Sequence, residues 1–269
     1  MTLYDNLELD LDPRGFATLW LNRPARHNAF DGPMIAELLH ALEHLDQRTD
    51  LRFMLLRGRG RHFCAGADLD WMRQSAHWNR QDNQADARQL GELMRRLESL
   101  SLPTLAVVQG AAFGGALGLI SCCDLAIGAE EARLCLSEVR LGLIPAVIGP
   151  YLVKAIGARA ARRYALTAEP FDGVRAHALG LFDEAYPANE LEPRLEQWIA
   201  TLLGNGPNAL RAGKRLLREI GQASPSAALR GACEEAIAAI RVSPEGQEGL
   251  QAFLDKRPPA WQIDPQARP

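Results

Sequence analysis

The stretch TLAVVQGAAFGGALGLISCCDLAIG, residues 104–128, restricts this chain more than any other. Its apolar start, 104–110, reads as a buried strand that feeds directly into Gly114 and Gly115. A helical apolar run follows with Gly118 inside it, so three glycines fall within five positions. Glycine inside a helix costs roughly 1 kcal/mol against alanine, so the bare backbone must serve some purpose. A strand turning through glycines into a helix leaves N–H groups free at the helix N-terminus, where partial positive charge collects. With no Cβ in the way, a carbonyl oxygen can approach that peptide closely. The tight loop FCAGAD (63–68) offers a second such donor at Ala67. Two converging donors would polarise a carbonyl and hold an enolate. Close packing of a helix uses glycine equally well, and the residues alone leave both uses open.

The first half of the chain alternates short apolar strands with helices. FATLWL (16–21) reads as a strand that ends in the polar loop NRPARHNAF, which carries Pro24. A helix is predicted from about Pro33, because Met34, Ile35, Leu38, Leu39, Leu42 and Leu45 repeat at helical spacing. LRFMLLRG (51–58) is a strand, and GRGRHFCAGAD is a loop with no room for a helix. Residues 82–99 form a helix with Leu90, Leu93, Met94 and Leu97 inward. CDLAIG and ARLCLSE are strand-like, and helices follow from about Val147. From residue 189 onward helix follows helix, split by GNGPN and ASPSA. The last helix takes Ser243 as N-cap and Pro244 at its first position and runs to Pro258. The predicted organisation is an α/β body over 1–190 that holds the site, then a helical region over 191–269.

Charge and motif content narrow the chemistry. A net charge of −3 gives no basic footprint, so nucleic acid is not an expected partner. The N-terminus carries acids and no apolar h-region, and no apolar stretch is long enough to span a membrane. Five cysteines in no metal spacing read as thiols of a reducing cytoplasm. HALEH (40–44) matches an inverted zinc-protease pattern, yet both histidines lie opposite the apolar stripe and no third ligand is evident. GRGRHF (58–63) starts like a dinucleotide fingerprint, but Phe63 stands where the third glycine belongs and no helix opens. No phosphate-loop or nucleophile-elbow motif occurs. Neither a metal nor a redox cofactor is expected.

Five ordered blocks carry a family resemblance. LNRPARHNAF, RHFCAGADLDWM, LPTLAVVQGAAFGGALGLISCCDLAIG, LCLSEVRLGLIP and EGLQAFLDKRPPAW resemble the blocks of the enoyl-CoA hydratase/isomerase (crotonase) superfamily over essentially the whole chain. The resemblance implies an α/β fold, a crotonase-like ββα spiral body with a C-terminal helical trimerisation region. It also implies a homotrimer or a dimer of trimers. An acyl-CoA substrate brings coenzyme A with it, so no separate cofactor is needed. The N–H groups of Ala67 and Gly115, beside Gly114, would form the oxyanion hole. Arg26, His27 and Ala29, together with Ala65, Asp68 and Leu69, would hold coenzyme A, with Phe253 and Lys256 reaching it from the last helix.

By the same resemblance, ordinary hydratases use two glutamates, one three residues after the oxyanion glycine and one about twenty further on. The first position here is Gly118, which has no carboxylate; the second is Glu138. Read on residues alone, Glu138 is a surface acid paired with Arg140. With the family blocks it becomes the general acid/base, and burial beside Leu136 and Val139 would raise its pKa. Ala116 and Gly118 would leave space beside the β-carbon, and IPAVIGPYLV replaces a glycine-rich run that many relatives have. These features are similar to bacterial hydratases of branched glutaconyl thioesters, acting on isohexenylglutaconyl-CoA in terpene breakdown or 3-methylglutaconyl-CoA in leucine breakdown. The partner of the substrate's distal carboxylate stays open among Arg73, Arg140, Lys154 and others. Isomerisation, decarboxylation and thioester hydrolysis share the oxyanion hole and also stay open. A non-catalytic acyl-CoA or RNA-binding role rests only on the basic run KAIGARAARRY (154–164).

Overall fold

The structure is a computed structural model and describes residues 4–262. The chain starts with a hairpin, β1 (Leu7–Asp12) against β2 (Phe16–Leu21), antiparallel from Leu7↔Leu21 to Asp12↔Phe16. Sequence reading missed β1, because its alternating acids hide a strand whose polar face is used: Glu8 and Asp10 bind Arg59, and Asp10 binds the Trp20 indole N–H. Helix α1 (Gly32–Asp46) opens on Asp31, whose carboxylate accepts the Met34 N–H, and buries Met34, Ile35, Leu38, Leu42 and Leu45. Leu39 lies at the edge of that stripe.

Next come β3 (Met54–Gly58), a short helix α2 (Leu69–Ser75) absent from the sequence reading, and α3 (Arg80–Ser99). Strand β4 (Thr104–Val108) precedes β5 (Ala111–Phe113) and α4 (Gly115–Cys122). Strands β6 (Leu125–Ala129) and β7 (Arg133–Cys135) lead to a 3-10 turn at Glu138–Leu141 and to α5 (Gly149–Thr167), which breaks at Gly157 (φ +76°). The helices expected from about Val147 are interrupted by the short strands β8 (Phe171–Asp172) and β9 (Glu184–Tyr186), with α6 (Gly173–Leu179) between them. Strands of two or three residues are too short to leave a period in the sequence.

Two sheets result. One runs β1-β2-β3-β4-β6-β9, parallel except for β1, and the other runs β5-β7-β8. The central strands are buried along their length, as parallel strands covered by helices are. Helix α1 packs on α3, α3 on α4, and α4 on α5. This α/β unit takes in residues to 100 and 104–195.

The second unit takes in 101–103 and the chain from 196 on, and is helical. Its helices are the end of α7 (Leu191–Gly204), α8 (Pro207–Gln222), α9 (Ala227–Val242) and α10 (Pro244–Leu254). Ser243 caps α10 as expected, accepting the Gly246 N–H at 3.1 Å. The helix stops at Leu254 rather than running to Pro258, and Lys256 takes a left-handed backbone (φ +55°). No described helix is long and apolar enough to cross a membrane, and all five cysteines are free thiols.

Candidate active site

The glycine segment is built by the small sheet. β5 pairs in parallel with β7, setting Phe113 beside Cys135, and the Gly114 N–H donates to the Cys135 carbonyl at 2.9 Å. The two strands therefore end side by side: β5 runs into Gly114–Gly115 and α4, β7 into Glu138. Gly114 adopts φ +54°, ψ −123°, a conformation that needs glycine. A Cβ on it would lie 3.4 Å from Glu138 Oε1, so the carboxylate reaches the mouth of the turn.

The second donor loop lies along β5. Cys64 N–H donates to Ala111 O and Phe113 N–H to Cys64 O, both at 3.1 Å. On its other side this loop pairs with Phe30, whose N–H donates to Gly66 O and whose carbonyl accepts from Asp68. The tip of the Phe30 ring also points at Gly115, where any Cβ would collide with Cζ. Ala67 and Gly115 are thus gathered around one phenylalanine. Among the described residues, neither the Ala67 N–H nor the Gly115 N–H has an acceptor. Two unpaired, half-buried N–H groups on neighbouring segments are what a developing oxyanion requires.

Glu138 is half-buried, its Oε2 has no hydrogen-bond partner among the described residues, and burial pushes its pKa above the ordinary value. The pairing with Arg140 does not form: that guanidinium donates to the Ala168 carbonyl at 2.6 Å instead. Glu138 is therefore a carboxyl group free to exchange a proton. Cys64, by contrast, is fully buried and its thiol is pushed up to about 12, so it cannot serve as a nucleophile.

Other expected residues are placed differently. The space expected beside Gly118 is filled: a Cβ there would collide with Ile148 Cγ2 and come within 3.1 Å of Met94 Sδ. Ile148 belongs to the IPAVIGPYLV segment that departs from the family pattern, so that departure supplies the side chain which closes the gap. The carboxylate of Asp68 is already committed. It caps α2 through the Asp70 and Trp71 N–H groups and accepts from Arg23 at 3.4 Å. Its backbone is engaged as well, the N–H donating to Phe30 O and the carbonyl accepting the Met72 N–H. Arg26 pairs with Asp70 at 3.0 Å, His27 is exposed in a left-handed conformation, and Leu69 is 63% exposed. Ala29 is buried and Ala65 half-buried, its N–H donating to His27 O. Phe253 and Lys256 lie in the second unit, with Phe253 82% exposed.

Each named candidate for the distal carboxylate has a partner: Arg73 on Asp70, Lys154 on Glu98, Arg140 on Ala168 O. The arginines of 154–164 form a solvated face, with Ala161 and Tyr164 turned inward and Arg163 paired to Glu169. His40 lies 3.0 Å from the Tyr4 hydroxyl, and no described cluster could hold a metal.

Sequence reading also passed over Asn28, fully buried between two residues it did single out. Asn28 accepts the Arg23 N–H and donates to the carbonyls of Arg59 and His62, locking the loop after β2 to the loop after β3. A polar residue in so tight a loop carries no periodic signal.

Residues 12–264 match the enoyl-CoA hydratase/isomerase family. The chain is 31% identical over 246 residues to the 2,3-dehydroadipyl-CoA hydratase of Escherichia coli, covering 90% of this chain and 92% of that one. An enoyl-CoA hydratase structure from Shewanella pealeana is 46% identical with a TM-score of 0.90, covering 95% of this chain and 96% of that one. The structure of AtuE from Pseudomonas aeruginosa is 35% identical with a TM-score of 0.92, covering 96% and 100%. The protein belongs to the enoyl-CoA hydratase/isomerase family and has the crotonase-like α/β fold.

Proposed function

We propose that the protein adds water across the double bond of an enoyl-CoA thioester, using Glu138 as its one carboxylate. The observation that carries this reading is the placement of that carboxyl group at Gly114, beside two N–H donors with nothing to bind. In the proposed reaction the thioester oxygen takes both donors, which lowers the energy of the enolate. Glu138 takes a proton from water as the water oxygen bonds to the β-carbon, and then returns that proton to the α-carbon of the enolate, which regenerates the carboxylate. Arg26, His27 and Leu69, with the backbone of Ala65, offer the surface for coenzyme A, and Asp68 shapes it by capping the helix that starts at Leu69. Exposed Leu217, Val242, Phe253 and Leu254 on the second unit support self-association as a trimer or dimer of trimers.

For the acyl group we propose a branched glutaconyl type, of the isohexenylglutaconyl or 3-methylglutaconyl kind. Its support is the exposed apolar run Leu141, Leu143 and Ile144 directly after Glu138, together with a relative whose name specifies a dicarboxylic acyl group. The filled space at Gly118 does not contribute to that support. Steady-state turnover on crotonyl-CoA, 3-methylglutaconyl-CoA and isohexenylglutaconyl-CoA, with products identified by mass, tests both levels. Preference for a glutaconyl thioester with one water gained is the expected result. Faster hydration of crotonyl-CoA overturns the acyl assignment alone. Release of free CoA, or a shifted double bond without gain of water, overturns hydration.

A further inference from the structure

We propose that His62 is a positioning residue whose neutral ring fastens the loop carrying Ala67 to the strand leading into Gly115, and whose protonation releases them. The inference rests on the oxyanion role proposed for those two donors. The loop and β5 are joined by a short ladder, with Phe63 N–H donating to Gln109 O at 2.8 Å before the Cys64 bonds described above. In that ladder the Ala111 N–H needs an acceptor from His62. The His62 carbonyl is taken by Asn28 Nδ2 at 2.8 Å, and the ring substitutes for it: the Ala111 N–H donates to His62 Nδ1 at 3.0 Å.

Gly110 makes room for this arrangement. It adopts φ +62°, and a Cβ there would stand 2.7 Å from Nδ1 and collide with the Arg61 carbonyl. Acceptance at Nδ1 requires that nitrogen to be bare, so the proton of the neutral ring sits on Nε2. A second proton would set an N–H against the Ala111 N–H, two donors with no acceptor between them. The titratable and charged groups acting on the ring are His27, edge-to-face at 5.0 Å from the loop after β2, and Arg61 beside it. β5 brings only Ala111, Ala112 and Phe113. Burial first, then His27 and Arg61, hold the imidazole below its usual pKa, which keeps the ring neutral near pH 7.

Hydrogen exchange of a peptide spanning 109–115, corrected for intrinsic rate and measured without substrate, reads the Ala111 bond directly. Wild-type protection should fall at least ~10-fold between about pH 7.5 and 5. His62→Asn, whose amide oxygen can accept where Nδ1 does, should keep its protection over that range. His62→Ala should be unprotected throughout. In kinetics, the Ala variant should lose about ten-fold in kcat with little change in KM, as expected when oxyanion donors are loosened rather than removed. The Asn variant should restore most of kcat and remove the part of the acid limb that belongs to His62, leaving the part set by Glu138. Protection in His62→Ala equal to wild type, or Asn and Ala variants that behave alike, would overturn the role of the ring. If His62→Ala does not fold, a pH-dependent loss in His62→Asn as steep as in wild type has the same force. A protein inactive on every enoyl-CoA, with the exchange pattern as expected, would overturn the hydratase reading and leave the His62 bond standing.

Discussion

In the proposed hydration Glu138 is the residue on which the chemistry turns, and its environment sets its pH behaviour. Burial without a counter-charge raises its pKa, so the carboxylate that must accept a proton from water forms only above the ordinary glutamate value of about 4.3. Turnover should therefore rise with pH through that raised pKa, which would appear as the acid limb of kcat/KM. Stability should move the other way. Between the ordinary and the raised value the unfolded chain has lost the proton and the folded chain keeps it, so raising pH destabilises the fold. Glu138→Gln removes that titration. Its Tm relative to wild type should be higher at pH 7 than at pH 4, while its turnover falls at least ~10²-fold. Near wild-type turnover in that variant would remove Glu138 from the mechanism. Residue type and block position pointed to Glu138 in the sequence. The failure of Arg140 to pair with it could not be read there, because the Ala168 carbonyl that competes for Arg140 arrives from 28 positions away.

Helix α4 and its glycines show how one motif answers several demands. Gly114 is fixed by its backbone angles and Gly115 by the ring tip of Phe30, whereas Gly118 is fixed by Ile148 and Met94. The N-terminal pair leaves a donor open, and the third glycine is a packing residue. Gly118→Ala should therefore destabilise by about 1–3 kcal/mol through overpacking. Ile148→Ala also destabilises alone, by leaving a cavity. The double variant should lose less than the sum of the two, because each change relieves the other. Thermal or denaturant unfolding of the three variants measures this coupling. Strict additivity would mean that the Ile148 contact does not determine residue 118. Helices with long apolar stripes, such as α1, were legible from periodicity, while α2 was not. At seven residues it depends on the Asp68 cap and on a local Asx-type start rather than on an apolar face.

At the scale of the whole molecule, the second unit presents large apolar side chains to solvent, including Phe253, Leu254, Val242 and Leu217. Exposed patches of that kind mark surfaces that bind something. Self-association predicts that Phe253→Asp will shift the protein toward smaller species in sedimentation velocity, with the far-UV spectrum retained. A wild-type protein that sediments as a monomer at every concentration would refute it. The placement of Phe253 and Lys256 near coenzyme A depends on the same outcome, since both residues lie on this unit.

By itself the sequence determined the family and the order of the longer elements, and it singled out Glu138 as the carboxylate to test, because these depend on local spacing and on residue types at fixed positions. Only the tertiary structure decided which groups remain free. The Ala67 and Gly115 donors and the orphaned Oε2 of Glu138 are open because no described neighbour satisfies them, whereas the Arg23 contact to Asp68 and the occupied space at Gly118 come from residues distant in sequence. A hydrogen-bonding group is available for chemistry only when no neighbour satisfies it, and neighbours are a property of packing.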